Sequence, residues 1–108
     1  MKMITAIINK MDANDVSEQL TEAGFMFTKI GSTGGFLRKG NVTLLIGVND
    51  DQVTEVLDII RKNSAQRMEN VPTVSTGNQA ILSYPNTAQV LVGGATVFVT
   101  DVTHFEKM

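Results

Sequence analysis

The sequence has no cysteine. That excludes disulfide frameworks and thiolate metal sites, and a lack of disulfides is compatible with a cytosolic protein. There is one histidine, His104, close to the C-terminus beside Phe105. One His with scattered acids does not supply the several N or S ligands a metal site needs, so no metal is expected, and His104 reads as a surface or partly packed residue. No Ser stands in a nucleophile-elbow context, so no catalytic residues can be assembled and an enzyme is not expected. Charged residues are sparse, at 19%, and the net charge is only -2. This argues against a disordered charged tail and against binding a nucleic acid polymer or an anionic membrane surface. No apolar run approaches the roughly 18 residues of a membrane span. The short run at the N-terminus gives way to Asn9, Lys10 and Asp12, so it reads as a first strand and not as a signal peptide. A cytoplasmic protein without membrane insertion is the default expectation.

What is present is enough for one core. A chain of 108 residues with 43% apolar content suits a single domain over 1–108. Residues 2–9 are β-rich. Asp12 reads as a helix cap, with Asp15 three residues on, and Val16, Leu20 and Ala23 follow at helical spacing over 13–23. Gly24 is a natural residue for the left-handed turn after that helix. Strand composition returns at 25–31 and again at 41–48, and the pair reads as a hairpin with a long connection. Asn49-Asp50-Asp51-Gln52 is a clear helix start, with a capping-box spacing and two acids that need no cation to explain them. Val53, Val56, Leu57 and Ile60 form the apolar stripe of a helix over about 50–66. Residues 67–88 carry Pro72, Gly77 and Pro85 without periodicity and read as a long loop. Residues 89–92 and 95–99 read as strand, interrupted at Gly93-Gly94 by a bulge or a close backbone approach.

The order β-α-β-β-α-β predicts an α+β ferredoxin-like sandwich: one antiparallel sheet with two helices on one face. Ile7 beside Ile8, and Leu44 beside Leu45, make the sheet apolar on both sides. Its second face therefore needs a cover, and self-association provides one.

The segment from Gly34 to Asn41 can carry binding chemistry. Gly34 and Gly35 allow close backbone approach, Phe36 offers a stacking face, Arg38 and Lys39 bring positive charge, and Asn41 both donates and accepts. Residue types alone leave two readings open: a nucleotide cradle, or a plain hairpin connection with Phe36 tucked into the core. The segment matches neither a Walker A loop nor the Rossmann spacing.

Three stretches together sharpen this. They are Thr33-Gly34-Gly35-Phe36-Leu37-Arg38-Lys39-Gly40-Asn41, Gly47-Val48-Asn49-Asp50-Asp51 and Val92-Gly93-Gly94-Ala95-Thr96-Val97-Phe98. The chain resembles the cyclic di-AMP receptors of the PII-like family nearly end to end, least over 66–88. The resemblance implies a PII-like signal-transduction role, a homotrimer, and nucleotide sites in clefts between subunits. It implies cyclic di-AMP as ligand, with no other cofactor, and a protein partner that senses loop ordering. By matching positions it implies ligand contacts from Thr28, Gly35, Phe36, Leu37, Asn41 and Gly47. The family's Asn-Phe-Arg-x-Thr run stands here as Gly24-Phe25-Met26-Phe27-Thr28, so Met26 occupies the arginine position and Gly24 the asparagine position. That departure motivates the alternative expectation of a PII-like trimer that binds another adenine nucleotide such as ATP, or reads a protein partner directly.

Overall fold

The computed structural model describes residues 1–32, 40–72 and 87–108. Strand β1 (Lys2–Asn9) buries every second residue: Ile4, Ala6 and Ile8 are inaccessible to solvent. This is the alternation of a pleated strand with one face on a core. Helix α1 (Lys10–Glu22) follows without a break. Its cap is Asn9, whose side-chain oxygen accepts from the Met11 amide at 2.9 Å. Asp12 is therefore not the cap that local sequence suggests; it lies inside the first turn and is buried. Ala13, Val16 and Leu20 turn inward at i, i+3 and i+7. The helix ends in a Schellman arrangement. Gly24 has φ +87°, its amide donates to Thr21, and the Phe25 amide donates to Leu20 at 2.9 Å.

Strand β2 (Thr28–Ser32) starts later than expected, because Phe25 is drawn into the core as the partner of that helix end. Strand β3 (Asn41–Val48) again alternates, burying Val42, Leu44, Ile46 and Val48. A single 3-10 turn at Asp50–Gln52 opens the second helix, where Gln52 accepts from the Asn49 amide at 3.0 Å. Helix α2 (Val53–Ser64) buries Val56, Ile60 and Ser64. Strands β4 (Arg67–Pro72) and β5 (Thr87–Val92) pair with each other, and β6 (Ala95–Asp101) closes the chain's regular structure.

The main sheet has the order β2-β3-β1-β6, with every neighbouring pair antiparallel. Helices α1 and α2 cover the face that carries Ile4, Leu44 and Ile46, so the ferredoxin-like sandwich is the observed architecture. One feature departs from a bare βαββαβ chain. Residues 67–72 and 87–92 are strands of a separate two-stranded ribbon, so the loop expected over 67–88 gives way to strand at both its ends, while 89–92 is strand as expected. One ribbon face is half-buried and the other exposed, and none of its described side chains is fully buried, so the apolar alternation by which strands are recognised is weak. Gly93-Gly94 does not interrupt one strand; it joins two strands that belong to different sheets.

The ribbon is tied to the sandwich at its root. Arg67 holds Asp12 through two hydrogen bonds, 2.9 Å to Oδ1 and 3.2 Å to Oδ2, and also reaches Glu69. The Asp12 side chain is only 6% exposed. A buried carboxylate needs a partner, and a bidentate guanidinium supplies charge and geometry together. The Asp12 carboxylate, followed by that of Glu69, keeps the Arg67 guanidinium charged well beyond its ordinary range. Gly93 lies so close that a β-carbon would sit 2.7 Å from Nη1 of Arg67 and 3.0 Å from the Ala65 carbonyl oxygen.

The second sheet face is open. By the pleat, Met3 and Ile7 on β1, Leu45 on β3 and Ile30 on β2 stand on it, with Phe98 on β6 opposite Thr5. Phe98 is 54% exposed and Ile30 is 45% exposed. The open face is thus mixed, with these apolar side chains set among Thr5, Thr28, Thr43, Thr96 and Thr100.

Candidate functional site

Three of the six residues named above lie within the described segments. Thr28 opens β2 and pairs with Leu45. Gly47 is two residues further along β3, opposite Met3. A diagonal cross-strand neighbour of this kind is about 7–8 Å away, so Thr28 and Gly47 form one local patch. Asn41 starts β3 and pairs with Asn9 and Ser32 at the other end. Gly47 lies six residue steps along β3 from Asn41, or about 20 Å at the usual rise. All three stand on the face away from the helices, since the residues between them, Val42, Leu44 and Ile46, are buried beneath. Gly35, Phe36 and Leu37 lie outside the described residues, as do Gly34, Arg38 and Lys39.

Gly47 needs no glycine for its own sake. Its φ is not positive, and a β-carbon there would meet only the Met1 methyl at 3.6 Å. The residue leaves bare backbone on the open face.

Asn41 also borders a groove of about 730 Å³ between α2 and β6. Leu57 and Ile60 form one wall, Val97 and Val99 the other. The rim is polar: Asn41, Arg61, Gln66 and the backbone of Gly93-Gly94. The groove exists because β6 is an edge strand whose inner face is covered only on one side, leaving Val99 41% exposed. No carboxylate lines it. Among the described residues Arg61 is the cation at its mouth, held by Asp58 at 2.8 Å and still largely solvent-facing. Such a groove suits a flat apolar group carrying negative charge. The Gly94 amide donates to the Ser64 carbonyl, which fixes the glycine wall against the end of α2.

Local sequence offers Gly93-Gly94 as a bulge or a close backbone approach, and nothing local marks Arg61 as part of a groove. Their convergence with Asn41 depends on the ribbon folding away between α2 and β6. Asp50, one of the two helix-start acids, is engaged by the chain's amino group at 2.9 Å, which lowers its pKa. Met26 is 82% exposed, just before β2. His104 is exposed. Among the described residues no three His, Asp or Glu side chains come together to hold a metal ion. Nor is any described helix long and apolar enough to cross a membrane.

A family model described as cyclic-di-AMP receptor matches residues 1–108. The chain belongs to the cyclic-di-AMP receptor family. Consistent with this, it is 38% identical over 78 residues to the nitrogen fixation nifHD region GlnB-like protein 1 of Methanothermococcus thermolithotrophicus, a match spanning 60% of this chain and 74% of that protein. It also resembles a crystal structure of a functionally unknown protein from Pediococcus pentosaceus ATCC 25745, with a TM-score of 0.78 and 39% identity over 99% of this chain and 96% of the other. The receptor family and the GlnB-like relative make this a PII-like protein of the signal-transduction kind.

Proposed function

We propose that this receptor-family member binds cyclic di-AMP in clefts between the subunits of a cytoplasmic homotrimer, and that binding orders loops read by a protein partner. The observation that carries the inter-subunit part is the spread along β3. Thr28 and Gly47 sit at one end and Asn41 at the other, about 20 Å away by strand rise. One ligand of nucleotide size does not touch both ends on one subunit. Two subunits that bring opposite ends together can serve one ligand. The open face with Phe98 and Ile30 supports self-association, since exposed apolar surface of this kind gains free energy when covered. The α2–β6 groove supports a nucleotide ligand, with apolar walls for a base and Arg61 at the mouth for phosphate.

On this reading the chain is one PII-like domain and performs no chemistry on its ligand. Gly35, Phe36 and Leu37 join Thr28, Asn41 and Gly47 as contacts, and no metal or further cofactor takes part.

A second reading is favoured by one residue. Met26 presents a thioether to solvent where the family pattern carries an arginine. A site without that cation can turn to another adenine nucleotide such as ATP, or the trimer can engage a protein partner directly.

Isothermal calorimetry separates the readings. Heat and a thermal shift with cyclic di-AMP, at one ligand per subunit, support the first. Preference for ATP supports the second. No heat and no shift with cyclic di-AMP at high concentration removes the first.

A further inference from the structure

We infer that Lys10 supplies a phosphate-binding cation to the nucleotide site, from the junction of β1 and α1; this rests on the nucleotide reading above. The Lys10 amide donates to the Gly40 carbonyl at 2.9 Å. Its side chain lies along Gly40, with Cδ 3.5 Å from where a β-carbon would stand. Lys10 thus sits against the last residue before Asn41, beside Asn9, the cross-strand partner of Asn41. In sequence, Gly40 follows Arg38 and Lys39. The fold therefore brings a third cation, from a different part of the chain, to the end of the segment that already carries two.

Among the described residues no carboxylate forms an ion pair with Lys10, and all 11 acidic residues fall within the described segments. Asp12, two residues on, is buried and committed to Arg67. Among the described cations Lys2, Arg61 and Arg67 each have a carboxylate, while Lys29, Lys62 and Lys107, like Lys10, have none; what sets Lys10 apart is its packing on Gly40. Nor does the position favour a cation for the sake of the helix. Lys10 is the first residue of α1, where positive charge opposes the helix dipole. A cation placed against local preference, packed on the ligand segment and left without a counter-charge, is suited to an anion from outside the chain.

The test uses the full chain and three probes: cyclic di-AMP, ATP and uncharged adenosine. Lys10→Gln keeps most of the stem and removes the charge. It is expected to weaken whichever nucleotide the wild type binds, on the order of tenfold. Adenosine binding is expected to stay unchanged and the melting temperature equal or higher, because a charge opposing the helix dipole is gone. Lys10→Arg is expected to retain affinity within about threefold. If Lys10→Gln binds the nucleotides within about twofold of wild type, the role of Lys10 is overturned while the nucleotide reading stands. If affinity and melting temperature fall together and arginine does not rescue, Lys10 is structural and the inference is overturned too. If the wild type binds neither nucleotide, both the reading and the inference fail.

Discussion

Replacing Gly93 with alanine is expected to be the most damaging single-atom addition among the described glycines. The φ of +78° at Gly93 places any L-residue in the left-handed region, which costs about 1–2 kcal/mol. The added β-carbon would also stand 2.7 Å from the Arg67 guanidinium, 3.0 Å from the Ala65 carbonyl oxygen and 3.1 Å from an Asp12 carboxylate oxygen. The guanidinium can withdraw, but only by loosening its hold on Asp12, whose side chain is 6% exposed. Leaving a buried acceptor poorly satisfied costs a further 1–3 kcal/mol or about that. The total is about 2–5 kcal/mol, a fall in melting temperature on the order of 10–30 °C for a domain of this size. Three other glycines serve as controls. Gly94→Ala meets nothing nearer than 3.6 Å and Gly24→Ala nothing within 4 Å, so each carries backbone strain alone, at φ +94° and +87°. Gly31→Ala has neither a positive φ nor a neighbour within 4 Å and is expected to be neutral. Urea unfolding followed by circular dichroism, at one protein concentration, gives the four values on a common scale. If Gly93→Ala costs no more than Gly24→Ala, the crowded joint at the ribbon's root is not as described and the reasoning fails.

Three further outcomes are expected. Leu44→Ala, at a fully buried position in the middle of β3, should lower stability by about 2–5 kcal/mol in the same unfolding assay. Phe98→Asp puts a charge in the open sheet face without touching the core, and on the proposed trimer reading light scattering should show the mass falling from trimer toward monomer at micromolar concentration; an unchanged mass would rule out that face as the subunit contact. Met26→Arg returns a guanidinium to the exposed start of β2, and calorimetry should show cyclic di-AMP affinity rising by about tenfold or more. No rise would mean that the position does not face the ligand.

What the sequence determined by itself follows from short-range rules. The alternation of Ile4, Ala6 and Ile8 and of Val42, Leu44 and Ile46 made two central strands legible, because a pleat converts period two into one buried face. The stripe of Val53, Val56 and Ile60 did the same for α2, and Gly24 marked the end of α1 through a conformation that glycine tolerates best. Apolar residues at adjacent strand positions, Ile7 beside Ile8 and Leu44 beside Leu45, placed apolar side chains on both sheet faces. Tertiary structure decided the rest. Asp12 has the local appearance of a cap, yet Asn9 caps the helix and Asp12 pairs with Arg67, 55 residues away in sequence. A cap preference is local, whereas a buried ion pair depends on which distant groups the fold brings together. Of the β4–β5 ribbon only 89–92 was legible as strand, because its better-covered face is no more than half-buried and the apolar alternation is weak. Only its folding away between α2 and β6 gathers Asn41, Arg61 and Gly93-Gly94 around one groove and exposes the inner face of β6. Lys10 makes the same point at the other edge of the site: an ordinary first residue of a helix in the sequence, it is brought against Gly40 by the pairing of β1 with β3.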